Sequence, residues 1–355
     1  MEAVKGWRPE SWGRVTDVVE RRPTIYDVAE RAGVSKSLVS LVLRDSPKVS
    51  EQRREAVLAA IADLGYRPSQ AATQLASSRA RSVELLVDDY RNLSFVGLVQ
   101  GLRRGLTGQG YHLTVTEIPR FGNRLDVPGV APAADARVLA GEPGRALLAG
   151  WNGPTVVAGW RGDDARGEAE IARLEADLVA ADDELGARLA TDHLLDLGHR
   201  WIGHLSGSSG PAVHRRAGYQ QAMAEAGLPA LVVGDRGTTE DDGYLSASTL
   251  LDGHPEITAL VAANDLMAVG ALAAAHERGR TIPTDMSIVG YDDSPLARYR
   301  VLDLTTVDDR SVPVGEAAAQ ALLRRIDDPH QPATRTLIPP ELIVRGTTGP
   351  APTHP

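Results

Sequence analysis

Residues Thr24 to Arg44 leave this chain few local options, because their caps and apolar spacing fit a helix, a tight turn and a second helix. Thr24 suits a helix N-cap, Asp27 three residues on completes a capping-box-like pair, and Ile25, Val28, Ala29 and Ala32 repeat at helical spacing. Gly33 ends that helix, Val34 makes the turn and Ser35 caps the next. The spacing predicts that Val39, Val42 and Leu43 form the buried stripe of the second helix, while Lys36, Ser37, Ser40, Leu41 and Arg44 face outward. A helix entering a DNA major groove presents such a face. An ordinary surface helical hairpin has the same periodicity, so the flanking sequence decides. After Asp45, Ser46 and Pro47 a third helix is capped by Ser50 and carries Val57, Ile61 and Leu64, before Gly65, Tyr66, Arg67 and Pro68 interrupt it. Three short helices around one small core are expected.

Charge separates this head from the rest. From Arg21 to Ser82 there are 11 Lys and Arg against 6 Asp and Glu, whereas residues 83–355 hold 24 basic and 37 acidic side chains. A basic module on an acidic body fits a head that approaches phosphates. The 355 residues allow that head and a body of two subdomains. With no cysteine, disulfides and thiolate metal sites are excluded. No apolar run reaches the roughly 20 residues of a membrane span, and the amino terminus lacks a secretory apolar region. A cytoplasmic protein, nucleoid-associated when bound to DNA, is expected.

The run Thr24-Ile25-Tyr26-Asp27-Val28-Ala29-Glu30-Arg31-Ala32-Gly33-Val34-Ser35, with Val39-Ser40, Val49-Ser50 and Gly65-Tyr66-Arg67-Pro68, resembles the head of the lactose-repressor and galactose-repressor (LacI/GalR) transcription factors. The resemblance implies an operator-binding homodimer on a pseudo-palindromic DNA duplex. It also implies a hinge helix with Ser69 as polar cap, Ala72 as small residue and Leu75 as the wedge that kinks the minor groove. The implied DNA contacts are Thr24, Tyr26, Ser35, Lys36, Ser37, Ser40, Leu41, Arg44, Ser69, Ala72 and Leu75. Lys36 can donate to guanine and Ser37 is permissive. Leu41 stands where many relatives carry arginine, so it either touches a thymine methyl or simply packs.

Past Ala80 the pattern turns to short apolar strands alternating with helices: Val83–Val87, Leu113–Val115, Thr155–Val157, Trp201–Leu205, Leu231–Val233, Ala259–Val261 and Ser287–Val289, with a helix from Val96 to Gly108. A parallel α/β body binds ligands beyond the carboxyl ends of its strands. There lie Arg215, Asn264-Asp265 and Asp292-Asp293, although Asn264 and Asp292 also suit helix caps and turns. The runs Leu189–Arg200, Ala262–Ala268 and Leu304–Val307 again resemble the repressor family, whose effector domain is similar to periplasmic sugar-binding proteins. The resemblance implies that Arg215, Asn264, Asp292 and Asp309 contact a small polar effector, sugar-like or nucleoside-like. Gly159 falls where many relatives place a ligand-binding aspartate, and Asp308-Asp309 where a basic residue and glutamine are more usual. Either an amine-bearing ligand balanced by Asp292, Asp308 and Asp309, or loss of effector control, is the expectation from those departures.

The fold class expected is therefore an all-α helix-turn-helix headpiece with a hinge helix, followed by an α/β body of two Rossmann-like subdomains similar to periplasmic binding proteins. The domain limits expected are an extension over 1–22, a DNA-binding domain over 23–67 and a hinge and linker over 68–82. The body takes 83–346, with one subdomain at about 83–180 and 311–333 and the other at about 181–310 and 334–346, before a flexible tail at 347–355. Histidines 193, 199, 204 and 214 lack HExxH spacing, and Gly203–Gly210 lacks both a P-loop lysine and GxGxxG, so neither metal nor cofactor is expected. A hydrolase trio of Ser206 or Ser208 with His214 is weak, since any protein this size offers one. The rivals are a DNA-binding protein with a degenerate body and a sugar receptor that binds no DNA.

Overall fold

The structure, a computed structural model, describes residues 23–43, 46, 48–66, 81–118, 120–121, 124–125, 134–141, 151–160, 169, 171–207, 210–234 and 237–353. The chain divides into two compact units, Met1–Ala80 and Arg81–Pro355.

In the first unit, α1 (Ile25–Arg31), α2 (Lys36–Leu43) and α3 (Glu51–Leu64) enclose a core of Val28, Ala29, Val39, Val42, Val49, Val57, Ala60 and Tyr66. The Thr24 amide and hydroxyl both donate to the Asp27 carboxylate, at 2.6 and 2.7 Å. Ser35 Oγ accepts the Leu38 amide, so the expected caps of both helices form. Gly33 and Gly65 take left-handed conformations where α1 and α3 end (φ +65° and +60°), which few other residues do without strain. One detail differs from expectation. Leu43, at the last turn of α2, is exposed, and Leu38 packs against the core in its place. Leu38 lies one residue before Val39 and nearer the stripe's centre than the helix end.

The second unit contains two six-stranded sheets. The first lobe orders β13 (Arg335–Ile338), β7 (Asp177–Ala181), β6 (Thr155–Ala158), β5 (Ala136–Ala140), β1 (Ser82–Val87) and β2 (His112–Glu117), all parallel. Two further short strands, β3 (Arg120–Phe121) and β4 (Arg124–Leu125), form a separate hairpin. The second lobe orders β14 (Glu341–Ile343), β12 (Thr306–Asp308), β11 (Ser287–Tyr291), β10 (Ala259–Ala262), β8 (Ile202–Leu205) and β9 (Leu231–Val233), with only β14 antiparallel. Central strands such as Ala136–Ala140 and Asp177–Ala181 are buried throughout, as a parallel sheet covered on both faces requires.

Helices pair closely over these sheets. In the first lobe α4 (Ser94–Leu106) crosses α9 (Ser311–Asp327) with Gly101 facing Gly315, and a Cβ added to Gly101 would overlap the Val312 carbonyl oxygen. In the second lobe α5 (Asp183–Asp196) packs on α6 (Pro211–Glu225), and α7 (Glu240–Gly253) on α8 (Asp265–Glu277).

The chain passes between the lobes three times: after β7 at Asp182, after β12 at Asp309 and Arg310, and between β13 and β14 at Pro339-Pro340. This placement corrects two expected limits. Residues 335–338 belong to the first lobe, because they pair with 178–181, and not to the second. The carboxyl-terminal stretch is also not a loose tail through residue 353. Thr347 is buried with its hydroxyl on the Ile288 carbonyl, the Gly349 carbonyl accepts from His199 Nε2 at 3.1 Å, and the Ala351 amide donates to the Leu197 carbonyl.

Candidate functional site

The head builds its exposed edge from the start of α2 and from α1. Lys36 and Ser37 are exposed at the first turn of α2, and Tyr26 of α1 is 63% exposed. The Lys36 ammonium donates to Tyr26 Oη at 3.1 Å and lies 4.8 Å from the ring centroid. Contact between a cation and an aromatic face holds the flexible lysine in one region before any ligand arrives. Ser35 is exposed, Thr24 and Ser40 are half-buried, and Thr24 and Ser35 are engaged as caps. Leu41 is half-buried against the core, so much of its side chain packs. Arg44, Ser69, Ala72 and Leu75 lie outside the described residues.

In the body, one cavity of about 690 Å³ is lined by both lobes. Arg215, which points in from α6, is its centre. Nε donates to Asp183 at 2.8 Å, and Nη1 donates to Asp292 at 3.0 Å and to the Ala263 carbonyl at 2.5 Å. Its guanidinium stacks 3.7 Å from the Tyr291 ring centroid. The surrounding carboxylates raise its pKa against the opposing cost of burial, so it stays charged.

Asp183 opens α5 just after β7 and Asp292 follows β11, so carboxylates from two strand ends hold the guanidinium, while Asp309, after β12, lines the same cavity. Burial pushes the Asp309 carboxyl up to about 7, with Asp183 and Asp308 adding to the rise and Arg215 opposing it. Burial also pushes Asp292 well above the carboxylate range, opposed by Arg215 and reinforced by Asp309, Asp265 and Asp183. Asp292 has φ +105° and Asp293 φ +44°, a strained turn. Ion pairs from Asp293 to Arg298 at 2.5 Å and Arg345 at 2.6 Å hold it, while Asp265 accepts the Ser294 amide at 2.7 Å and the Thr306 hydroxyl at 2.6 Å.

The structure thus brings Arg215, Asn264, Asp292 and Asp309 together on one cavity wall, and Gly159 on the opposite lobe. Asn264 also caps α8, its Oδ1 accepting the Met267 amide and its Nδ2 donating to the Thr238 carbonyl. Asp308 is not on the cavity: its Oδ1 accepts the Arg310 amide at the crossing. Sequence reasoning missed Asp183, Trp160, Phe95 and Asp88, all of which line the cavity. Asp183 and Trp160 follow the carboxyl ends of β7 and β6, the rule that located the others, but β7 was not recognised as a strand.

Other buried polar groups are structural. His204 donates Nδ1–H to the Val261 carbonyl at 2.9 Å and stacks on Tyr219, and burial lowers its pKa to about 4. Among the described residues no group of three or more His, Asp or Glu is disposed to hold a metal ion, and no helix is long and apolar enough to cross a membrane.

A capped three-helix head with an exposed lysine edge, joined in one chain to a two-lobed α/β body with a polar cleft, defines a DNA-binding regulator of the helix-turn-helix class with a periplasmic-binding-protein-like body. Comparison with known proteins agrees. The family model for bacterial regulatory proteins of the lacI family matches residues 24–69, and that for a periplasmic binding protein-like domain matches 191–348. The chain is similar to the ribose operon repressor of Halalkalibacterium halodurans (32% identity over 331 residues, 92% of this chain and 97% of that protein). It is also similar to the HTH-type transcriptional repressor PurR of Haemophilus influenzae (34% over 335 residues, 91% and 97%). Among solved structures it resembles the Lac repressor dimer bound to operator and the anti-inducer ONPF (TM-score 0.75, 26% identity, covering 93% of this chain and 100% of that one). It likewise resembles the transcriptional regulator CelR in complex with cellobiose (TM-score 0.66, 29%, 92% and 100%). The chain belongs to the LacI/GalR family of transcriptional regulators, which are DNA-binding proteins and not enzymes.

Proposed function

We propose that this regulator is a repressor, homodimeric on a pseudo-palindromic operator, whose affinity is set by a small polar effector in the cleft between its lobes. The observation that carries the reading is the cleft itself: a buried guanidinium held by the Asp183 and Asp292 carboxylates and the Ala263 carbonyl, in a chain whose head exposes Lys36 and Ser37 at the start of its second helix. Arg215 Nη2 makes no hydrogen bond to a described residue, and a planar donor beside short carboxylates suits a polyol. A sugar-like or nucleoside-like effector fits that chemistry, and the likeness to a ribose operon repressor and to a cellobiose-bound regulator supports it.

Two heads per dimer explain how weak single-head binding becomes specific, because a two-fold body lets both heads engage a palindrome at once. By family resemblance, Ser69, Ala72 and Leu75 form the hinge that reads the minor groove at its centre. The test is selection of bound sequences from a random duplex pool with the full-length protein at near-physiological salt. The expected result is a pseudo-palindrome lost on deleting residues 1–82. Steeply salt-dependent binding without a motif would overturn the reading of specific repression.

A further inference from the structure

We propose that the ligand of this cleft carries a positively charged nitrogen, held by Asp309 and Asp183 while Arg215 takes an oxygen of the same molecule. This inference rests on the effector-cleft reading above and narrows it to one chemical class: an amine-bearing polyol of sugar or nucleoside size.

Three observations carry it. The floor of the cavity gathers the carboxyls of Asp183, Asp292 and Asp309 around the single cation Arg215, so acidic groups outnumber basic ones there. At the rim, Arg91 lies on Asp89 at 2.8 Å, and Glu117 lines the same cavity. A floor with more carboxyls than cations disfavours an anion and favours a ligand rich in hydrogen-bond donors.

The second observation is Asp309 itself. It is more than nine-tenths buried and lines the cavity, yet its one hydrogen bond is Oδ1 accepting the Ser311 amide at 2.9 Å. No described cationic side chain bonds to it, and Arg215, the nearby cation that acts on its charge, is already bonded to Asp183 and Asp292. A buried carboxylate facing an enclosed space without a partner is costly unless a cation or a proton joins it. The third is the opposite wall, where Trp160 and Phe95 of the first lobe line the same cavity and supply aromatic surface that tolerates a cation. Asp183 and Asp309 both sit where the chain crosses between lobes, so a cation there contacts the segments on which lobe movement depends.

The test measures thermal stabilisation of the full-length protein, then calorimetric affinity, with matched probes: ribose, glucose and cellobiose; glucosamine and galactosamine; gluconate and glucuronate; and a metabolite library sorted by charge. The expected result is that stabilising compounds fall among the amines, that each neutral parent binds at least tenfold more weakly, and that Asp309→Asn weakens the amine by about 10- to 100-fold. The Asn variant keeps an acceptor for the Ser311 amide and should shift preference toward the neutral parent. A neutral or anionic compound that binds as well as its amine, with affinity unmoved by Asp309→Asn, overturns the charge assignment and leaves the effector cleft standing. No stabilisation by any class would sink the effector reading, and this inference with it.

Discussion

Replacing Asp309 with Asn should stabilise the protein at pH 8 and change it little at pH 4. Asp309 has an ordinary pKa of 3.8 that burial pushes up to about 7. In the unfolded chain the carboxyl loses its proton near 3.8, whereas in the fold it keeps it to about 7, so between those values the native state binds the extra proton. Stability contributed by that proton is full below the unfolded pKa and is lost as pH rises through the folded one. The loss is about 1.4 kcal/mol per pH unit, or on the order of 4 kcal/mol across the window. Asp292, which burial also pushes up, takes up part of that proton, so about 2–4 kcal/mol is expected for the variant at pH 8. Buried histidines tilt the whole curve the other way on its acid side, so the informative quantity is the difference between variant and wild type at each pH. Differential scanning calorimetry of the full chain at pH 5, 6, 7 and 8 resolves the body's transition from the head's. A stability gain that is the same at pH 5 and pH 8 would refute the argument that an ionised Asp309 is what the fold resists.

His204 is fully buried, with its pKa lowered to about 4, so the native state binds fewer protons than the unfolded chain from about 4 to 6.5 and stability is lost as pH falls through that range. His204→Phe should flatten this acid limb by up to about 3 kcal/mol, measured by urea unfolding at pH 5 and 7; an unchanged slope would count against it. Gly101→Ala forces a Cβ into the Val312 carbonyl at the α4–α9 crossing and should cost about 1–3 kcal/mol, seen as a lowered melting temperature of the body, with no drop if the helices can slide apart. Lys36→Ala should weaken binding to the selected operator by about 10- to 100-fold and relax preference at one base position, read by fluorescence anisotropy; a uniform loss on all sequences would reduce Lys36 to a phosphate contact.

What could be read from the sequence follows how local each determinant is. The head was legible because caps and period lie within a few residues of one another: Thr24 with Asp27, Ser35 with Leu38, Gly33 and Gly65 at helix ends. Its one packing error, Leu43 in place of Leu38, came from treating the final turn of a short helix as though it had a full wall to bury against. The body was legible where strands are rich in branched residues, as at Val83–Val87 and Ser287–Val289. It was not at Ala136–Ala140 and Asp177–Ala181, whose alanines carry little strand signal and which are strands because neighbours pair with them. Losing β7 meant losing Asp183. Arg335–Ile338 is a largely exposed edge strand, so its lobe is set by pairing with β7 and not by its own pattern. The carboxyl-terminal stretch has no local signal either, being held by His199 and Ser287, roughly 150 and 60 residues away along the chain.

The cleft also limits how an effector can act. A ligand moves the equilibrium between body conformations only by the difference in its affinity for them, and a hundredfold change in operator affinity needs about 2.7 kcal/mol of such difference. Most of the floor cannot supply it. Arg215, Asp292 and Asn264 all belong to the second lobe and are bonded to one another or to that lobe's backbone, so a contact with them is equally good however the lobes are arranged. The difference must come from groups whose distance to Arg215 changes: Trp160 and Phe95 across the cleft, and Asp309 at the crossing after β12. One charge-assisted hydrogen bond at Asp309, worth about 1.5–3 kcal/mol, is of the size required. Truncating an effector at the group that meets Arg215 should therefore lower its affinity while leaving its effect at saturation. Removing the group that meets Asp309 should abolish the effect even where binding survives.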